Sequence, residues 1–426
     1  MIIYSTLTRY DSYKDSGFEW FGIVPAHWKE VRVKDMAFLE RGKFTHRPRN
    51  DPQMYGGVHP FIQTGDIARA LRYVTKFKQT LSDKGIEVSK KFNKGTLLIT
   101  IAANIGDVAI IDFDSYLPDS IVGLKPKKGD TDYLFYVFLA SRNELHKIKI
   151  TSTQDNLNLE RLNSVVKFLP PLKEQLAIAA YLDENVAKID LKIELLGYKA
   201  EQYNNLKQSL IKETVVGGLD KNVAIKDSGI EYIGNIPVHW KIERGKNLFK
   251  EYPKSKIAAT EGMPKGQFKF FNSSDKQSKW LDYYSMKSEG LIFSTGGSAG
   301  VNYCKEEYSY STDCWCIYGK NSEKIHLKFY SYFFTAILNE IQQLAFKGAS
   351  LEHLQKDFIK LSEIIYPHIS EQVAIANFLD TKTAHIDKII STINSQIDKL
   401  KELRKTIISN VVTGKIKVPM KDFVHE

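Results

Sequence analysis

Two long stretches of the chain repeat apolar residues at an alternating spacing of four and three positions, which is typical of a helix with one buried face. One stretch spans Leu182 to Leu210 and the other Leu379 to Ile407, and a shift of 197 positions superimposes them. Prolines precede both, and Gly217 and Gly414 follow at equivalent positions, so each stretch predicts one helix of roughly 44 residues and about 65 Å. The residues predicted to pack along the seam are Leu182, Val186, Ile189, Ile193, Leu196, Leu379, Ile386, Ile390, Ile393, Ile397 and Leu400.

Two such helices in one chain are expected to pack along their seams, because packing removes both apolar stripes from water. Parallel packing would bring the segments that precede the helices to the same end. Antiparallel packing would place them at opposite ends about a pseudo-two-fold axis. The outward faces of the helices also follow the repeat, which predicts equivalent docking surfaces for protein partners.

The segments that precede the helices have a different pattern, with short β-type runs between turn signals. In the first, Gly95–Ala102 predicts a buried strand and Val108–Ile111 its hairpin partner, and Tyr133–Leu145 has helical spacing. The second segment follows the same plan with little identity, so we expect two modules of one fold with different surfaces. Its corresponding strand, turn and helix are Gly290–Ser294, Gly296–Gly300 and Phe329–Leu344.

A second repeated motif opens each module. Residues 15–29 return as residues 227–241 with nine of fifteen positions identical, at an offset of 212. The chain is therefore a tandem duplication whose second copy has 15 fewer residues between the two motifs. His27 and His239 each lie in a Pro-x-His-Trp turn, which favours a role in packing or turn formation over catalysis.

The stretch that opens each long helix is the most strongly repeated part of the chain. Residues 170–183 contain Glu-Gln-Leu-Ala-Ile-Ala-Ala-Tyr-Leu-Asp, and residues 367–380 contain Glu-Gln-Val-Ala-Ile-Ala-Asn-Phe-Leu-Asp. Glu174 and Glu371 follow a proline at a helix start, where a carboxylate complements the helix dipole and the first amides. We therefore expect them to be structural.

Composition places the chain among globular proteins of two to four domains, with 426 residues of which 43% are apolar. The formal charge of +10 favours an anionic partner. No apolar run approaches the length of a membrane span and the N-terminus lacks a signal-peptide pattern, which predicts a cytoplasmic protein. The three cysteines, Cys304, Cys314 and Cys316, suit neither a disulfide framework nor a tetrahedral metal site, so no metal is expected.

Basic residues are concentrated at comparable places in the two modules. Residues 41–94 hold twelve Lys and Arg against four acidic residues, and residues 244–289 hold ten against five. Such clusters predict contacts with DNA phosphates, and Arg, Asn and Gln can also read base edges. Duplex DNA has two-fold axes of its own, so the antiparallel helix arrangement fits this ligand. The candidate DNA-binding residues are Arg41, Lys43, Arg47, Arg49, Gln63, Arg69, Arg72, Lys76, Lys78, Lys254, Lys256, Lys265, Lys269, Asn272, Lys276 and Lys279.

The chain lacks the usual sequence signatures of catalysis. It has no phosphate-binding loop, His-Glu-x-x-His helix or Gly-x-Ser-x-Gly turn, and no Asn/Asp-Pro-Pro-aromatic motif of amino-methyltransferases. No catalytic residue is predicted, and the chain is interpreted as a binding protein. Two alternatives stay open: methyltransferase or nuclease activity in this chain itself, and a coiled-coil scaffold that does not bind DNA.

Together these motifs resemble the specificity subunit of type I restriction-modification systems. The resemblance rests on Pro-x-x-x-Glu-Gln-x-Ala-Ile-Ala-x-aromatic-Leu-Asp at Pro170 and Pro367, on the heptad helices, and on the paired Pro-x-His-Trp motifs. It implies an α+β fold with two target recognition domains separated by two long antiparallel coiled-coil helices. The implied domains are residues 1–169, a central spacer 170–217, residues 218–366, and a C-terminal spacer and tail 367–426.

The resemblance also implies a function and partners. Each target recognition domain would read one half of an asymmetric, bipartite DNA site, and the helices would set the gap between the halves. Two methyltransferase subunits, which bring S-adenosylmethionine, would dock on the helices and methylate adenine. Restriction and translocase subunits would complete the complex, so the specificity chain itself would hold no cofactor.

Overall fold

The computed structural model describes residues 8–127, 129–147, 157–274, 277–348 and 352–420. Two compact units make up the chain. Unit 1 contains Met1–Leu195 together with Gln396–Glu426, and unit 2 contains Leu196–Ser395. Each unit therefore combines one module with part of both long helices, whereas the domains expected from the sequence follow one another along the chain. The mixed α/β class and the two long helices are confirmed.

The first module is built around an antiparallel sheet with one added parallel strand. Its strand order is β4-β12-β9-β10-β6, and the pairing of β9 with β10 confirms the hairpin that the sequence predicts. A smaller sheet has the order β7-β5-β11-β8. The strands of unit 1 are β1 (Tyr13–Asp15), β2 (Ile23–Pro25), β3 (Lys29–Arg32), β4 (Ala37–Arg41), β5 (Tyr55–Phe61), β6 (Tyr73–Val74), β7 (Gln79–Leu81), β8 (Lys90–Phe92), β9 (Leu97–Thr100), β10 (Val108–Ile111), β11 (Ser115–Leu117), β12 (Ile121–Pro126) and β13 (Val166–Leu169).

Short helices cover these sheets. The predicted helix at Tyr133–Leu145 is present as two helices, which are separated at Ser141, whose hydroxyl donates to the Val137 carbonyl. Six aromatic and aliphatic residues of the first of these, from Tyr133 to Phe138, are buried. The helices of unit 1 are α1 (Val33–Met36), α2 (Thr64–Arg69), α3 (Asp83–Glu87), α4 (Thr131–Ala140), α5 (Arg142–Lys147), α6 (Leu159–Ser164) and the long helix α7 (Leu172–Gly217), which continues into unit 2.

The second module repeats this topology with one strand fewer in each of the two sheets. Its main sheet has the order β17-β23-β20-β21 and its smaller sheet the order β19-β18-β22. The strands of unit 2 are β14 (Ile225–Asp227), β15 (Asn235–Pro237), β16 (Lys241–Arg244), β17 (Phe249–Glu251), β18 (Phe268–Phe271), β19 (Lys279–Leu281), β20 (Gly290–Ser294), β21 (Val301–Cys304), β22 (Tyr308–Tyr310), β23 (Cys314–Gly319), β24 (Phe346–Lys347), β25 (His353–Leu354) and β26 (Glu363–Tyr366). The helices are α8 (Gly245–Leu248), α9 (Leu327–Ala336), α10 (Leu338–Ala345), α11 (Lys356–Leu361) and the long helix α12 (Ile369–Val412).

Each module begins and ends on one antiparallel strand pair. In unit 1, β3 pairs with β13 so that Lys29 lies opposite Leu169. In unit 2, β16 pairs with β26 so that Lys241 lies opposite Tyr366. The last strand of each pair leads directly into a long helix, which fixes the module to the start of that helix.

The long helices run antiparallel within each unit. In unit 1 the start of α7 packs with the end of α12: Arg404 Nε lies 2.8 Å from Asp190 Oδ1, and Gly414, just beyond α12, lies against Pro25 and Trp28. In unit 2 Lys207 Nζ lies 2.7 Å from Asp387 Oδ2, and Gly218, just beyond α7, lies beside Glu371. The predicted antiparallel pairing is therefore present in both.

The predicted seam residues lie on the packed faces of these helices. Leu182, Val186 and Ile189 belong to the core of unit 1, and Leu379 belongs to the core of unit 2. Six of the eleven are buried and five are partly buried. The buried residues are Leu182, Val186, Ile189, Leu379, Ile386 and Ile393, and the partly buried ones are Ile193, Leu196, Ile390, Ile397 and Leu400.

The C-terminal end of α7 differs by one residue from the sequence prediction. Gly217 is still helical, and the left-handed residue is Gly218 with φ +73°. At the end of α12 the left-handed residue is Gly414 with φ +72°, as the position of that glycine suggested.

Candidate nucleic-acid interface

A buried carboxylate joins the repeated motif at residues 15–29 to the long helix α7. Glu174 Oε1 accepts hydrogen bonds from the Tyr10 hydroxyl at 2.5 Å and the Trp28 indole at 3.0 Å. Its Oε2 lies 2.8 Å from His27 Nε2. Burial, together with the bond to Glu174, raises the pKa of the Tyr10 phenol. The carboxylate thus holds Tyr10, His27 and Trp28 against the first turn of α7.

The second copy of this arrangement lies in unit 2. Glu371 Oε2 accepts from Trp240 Nε1 at 2.9 Å and lies 3.0 Å from His239 Nε2. His27 and His239 are therefore partners of a structural carboxylate, which agrees with a packing role for both. The neighbouring glutamines are also used structurally, since Gln175 donates to the Pro170 carbonyl and Gln372 to the Pro367 carbonyl.

A second repeated contact holds a module helix against each long helix. The Tyr136 hydroxyl on α4 donates to Asp183 of α7 at 2.7 Å. In unit 2 the Tyr332 hydroxyl on α9 donates to Asp380 of α12, also at 2.7 Å. Both aspartates end the repeated Leu-Asp sequence, so the strongest sequence repeat includes residues that attach the modules to the helices.

Most of the predicted DNA-binding cations of the first module form ion pairs or hydrogen bonds with other groups of unit 1. Arg49 pairs with Asp119 at 2.8 Å, and the Arg69 guanidinium pairs with the buried Asp66 at 2.5 Å. Arg41 donates to the Asp119 carbonyl, and Arg47 to the carbonyls of Phe44 and His46. The side chains of Arg41, Arg47, Arg49 and Arg69 are nevertheless exposed, so their outer faces stay accessible to a ligand.

Arg72 differs from the other predicted contacts because its side chain is only 18% exposed. The guanidinium pairs with Asp132 of α4 and Asp183 of α7 and lies 5.1 Å from the centre of the Tyr73 ring. Burial alone would lower the pKa of Arg72, but the two carboxylates raise it. Arg72 therefore fixes the module's own structure, and sequence reasoning had no means of finding these two distant partners.

Three lysines of the basic cluster at residues 41–94 are unpaired. Within the described part of the chain, the side chains of Lys43, Lys76 and Lys78 form no ion pair or hydrogen bond, and all three residues are exposed. Gln63 is partly buried and donates to Gln79 Oε1 at 3.2 Å. Fewer side chains of residues 41–94 therefore carry an unpaired positive charge than the number of basic residues in that range suggests.

The second module has a similar division. Lys254, Lys256 and Lys265 are exposed, and their side chains have no ion-pair or hydrogen-bond partner among the described residues. Lys269 pairs with Glu306 at 2.9 Å, and Lys279 donates to the Ala259 carbonyl at 3.4 Å. Asn272 is partly buried and accepts from the Ser274 hydroxyl, and Lys276 lies outside the described residues.

The cysteines of the second module are buried thiols. The three cysteines are free and buried, and burial raises the pKa of Cys314 to about 11 and that of Cys316 to about 12. In the described segments no group of three or more His, Cys, Asp or Glu side chains is arranged to hold a metal ion. No described helix is both long and apolar enough to cross a bilayer.

Two modules of one topology, each with unpaired lysines and each fastened to paired long helices, define an internally duplicated protein with two candidate polyanion-binding modules. A family model for the type I restriction modification DNA specificity domain matches residues 25–196 and 237–399. The chain belongs to this family.

Relatives of similar length support the same assignment. The putative type I restriction enzyme MjaX specificity subunit of Methanocaldococcus jannaschii is 25% identical, and the alignment covers 95% of this chain and 98% of the relative. The MjaVIII specificity subunit of the same organism is 23% identical, with 96% and 98% covered. The function as a DNA-recognition subunit of a type I restriction-modification system follows from this family.

Solved structures show the same fold. A chain from a study of complex assembly and conformational transition in a type I restriction-modification system has a TM-score of 0.70 at 14% identity, with 91% of this chain and 98% of that one covered. The HsdS subunit of Thermoanaerobacter tengcongensis has a TM-score of 0.51 at 14% identity, with 94% and 99% covered.

Proposed function

We propose that the first module reads one half of an asymmetric bipartite DNA site and the second module reads the other half. The observation that carries this proposal is that equivalent attachments hold modules with different surfaces. Tyr136 and Tyr332 make matching contacts with Asp183 and Asp380, whereas the exposed side chains of the two modules differ. Because base readout depends on side-chain identity, different surfaces would select different sequences.

The chemistry of the complex belongs, in this proposal, to partner subunits. Two methyltransferase subunits bring S-adenosylmethionine and modify one adenine in each half-site, and restriction and translocase subunits complete the assembly. The chain itself is non-catalytic and holds DNA in register while a partner extracts the target base. A DNA target places this complex in the cytoplasm.

The long helices supply the spacing. Continuous helices such as α7 and α12 resist bending on the scale of a few turns, so their length would fix how many unread base pairs separate the half-sites. The repeated helix starts also support the docking of two copies of one methyltransferase subunit.

The decisive experiment is base-resolution methylation mapping of a host that carries this chain and its methyltransferase partner. The wild-type complex is expected to methylate a bipartite sequence with a fixed gap. Exchange of residues 31–169 for the corresponding module of a relative should change one half-site only. Exchange of residues 242–366 is the matched control and should change the other half.

Three results would contradict the proposal. A change of both half-sites after one exchange would show that the modules do not read DNA independently. Methyl transfer to DNA by the purified chain with S-adenosylmethionine, in the absence of any partner, would move the catalytic activity into this chain. DNA binding without sequence preference or steep salt dependence would favour a scaffold instead.

A further inference from the structure

The two modules differ most clearly in one connection of the smaller sheet. Strand β5 is antiparallel to β7 and parallel to β11, and β18 is antiparallel to β19 and parallel to β22, so β5 and β18 are equivalent. In the second module residues 272–278 connect the equivalent pair β18 and β19. In the first module residues 62–78 do so, and they contain α2 and β6. The first module therefore carries an inserted segment, residues 63–78.

The inserted segment exposes apolar and cationic side chains together. Leu71 is 74% exposed, Tyr73 40% and Phe77 37%. Lys76 and Lys78, which flank Phe77, are exposed, and their side chains have no ion-pair or hydrogen-bond partner among the described residues. Residues 69–76 and Asp66 surround an open cleft of about 450 Å³. Exposed apolar groups next to unpaired ammonium groups suit duplex DNA, because ammonium groups neutralise its phosphates and apolar groups can contact thymine methyl groups in the major groove.

The inserted segment is also held in a defined conformation. Strand β6 pairs in parallel with β10 at the edge of the main sheet, and Arg72 is clamped by Asp132 and Asp183. The Tyr73 ring packs on the Arg72 guanidinium, and the Phe77 ring lies 5.3 Å from that of Phe113. Because these anchors order the segment before binding, its exposed groups can contribute to discrimination with less loss of conformational freedom.

We infer that the inserted segment is a specificity element for one half-site, in which Leu71 and Tyr73 contact bases and Lys76 and Lys78 contact phosphates. This inference rests on the proposed assignment of one half-site to each module. The second module reads its half-site without such an element, so the segment accounts for part of the asymmetry of the target. Leu71 and Tyr73 are specificity-determining residues, and Arg72 is a positioning residue.

The test uses the full chain with its methyltransferase partner. The variant Leu71→Ala/Tyr73→Ala is mapped by base-resolution methylation of host DNA, with Val58→Ala as an exposed apolar control in the same module, 84% exposed. The double variant is expected to accept additional bases at one or two positions of the first half-site, with about tenfold lower discrimination there. The second half-site is expected to stay unchanged, which shows that the chain is folded.

The variant Lys76→Gln/Lys78→Gln tests the phosphate contacts. Binding to a duplex that carries the mapped site is measured over a range of salt concentrations. Loss of two phosphate contacts should lower the slope of log affinity against log salt by roughly 2. Sequence preference at the first half-site should be retained.

The outcomes separate this inference from the proposed function. If the wild-type complex has a bipartite site and both double variants keep the same site, affinity and salt slope, the inserted segment is not a DNA contact and only the inference fails. If the wild-type complex has no bipartite site, the proposed function fails before the segment is tested.

Discussion

At the scale of single residues, the structure distinguishes exposed ion pairs, which a ligand can replace, from partly buried ion pairs that hold the fold. Arg49 and Asp119 form an exposed pair, which is worth about 0–1 kcal/mol, so a phosphate can replace the carboxylate at little cost. Arg72 is partly buried between two carboxylates and cannot be exchanged so easily. A count of charges along the sequence predicts a basic region, but it cannot tell these two cases apart, because Asp183 lies 111 residues from Arg72.

Lys167 provides a residue-scale prediction about stability. Its side chain is 1% exposed, pairs with Glu144 and lies 4.8 Å from the Trp20 ring. Burial lowers the pKa of Lys167 although Glu144 opposes this shift. Glu144→Gln leaves the buried ammonium without its counter-charge and should reduce the free energy of unfolding by about 3 kcal/mol at pH 7. Urea unfolding monitored by circular dichroism measures this loss.

The loss should depend on pH in one direction. Between the lowered pKa in the folded state and the ordinary value of 10.5, the unfolded chain binds more protons, so stability rises with pH in that window. Glu144→Gln should lower the pKa of Lys167 in the folded state further, so the variant gains stability with pH over a wider range than wild type. The loss of stability relative to wild type should therefore be smaller at pH 9 than at pH 7. The double variant Glu144→Gln/Lys167→Met removes both charges, so it is the matched control and should unfold at a similar or higher urea concentration than wild type. A deficit that does not change with pH would contradict this explanation.

At the scale of helices and strands, periodic patterns were predictable and short irregular elements were not. Both long helices, their seam and the β9–β10 hairpin follow from spacing that extends over many residues. The inserted segment was missed because the six residues of α2 and the two of β6 are too short to show periodicity. Its connection to β10 depends on residues far along the chain, which no local pattern reveals.

Substitutions of two leucines of α7 compare the packed face of this helix with its exposed face. Leu182 is fully buried in the core of unit 1, and Leu191 is 56% exposed on the same helix. Leu182→Ala should reduce the free energy of unfolding by about 2–5 kcal/mol, because it removes apolar contacts and leaves a cavity. Leu191→Ala should change it by less than about 0.5 kcal/mol. Equal losses in thermal and urea unfolding would show that the helices do not pack by these faces.

At the scale of the whole molecule, the chain consists of two copies of one plan. The copies also differ outside the modules. Leu191 and Leu195 are exposed on α7, and the positions 197 residues later are Lys388 and Thr392. The outward faces of the two helices therefore differ in these apolar residues, although the sequence repeat suggested equivalent faces. Partner subunits that dock on both helices would meet different side chains there.

The spacing function of the helices gives a whole-molecule prediction. Insertion of four residues near Leu196 of α7, matched by four residues at the facing position of α12, should lengthen the gap between half-sites without changing the bases that are read. Methylation mapping reports both quantities. Four-residue insertions in the loop 219–224, outside the helix, are the control and should leave the gap unchanged. An unchanged gap after the helix insertions would refute the spacing role.

Unit 1 combines residues up to Leu195 with residues from Gln396 onward, and this combination has a consequence for biosynthesis. The core of unit 1 includes Ile407, Ile408, Val411 and Val412, which are at most 3% exposed. A ribosome makes these residues after it has completed both modules, so the first module waits for its last packing partners while unit 2 is already able to fold. Unit 1 is therefore expected to be completed after unit 2. A chain that stops before residue 396 would leave the apolar face of the first part of α7 open to chaperones and proteases.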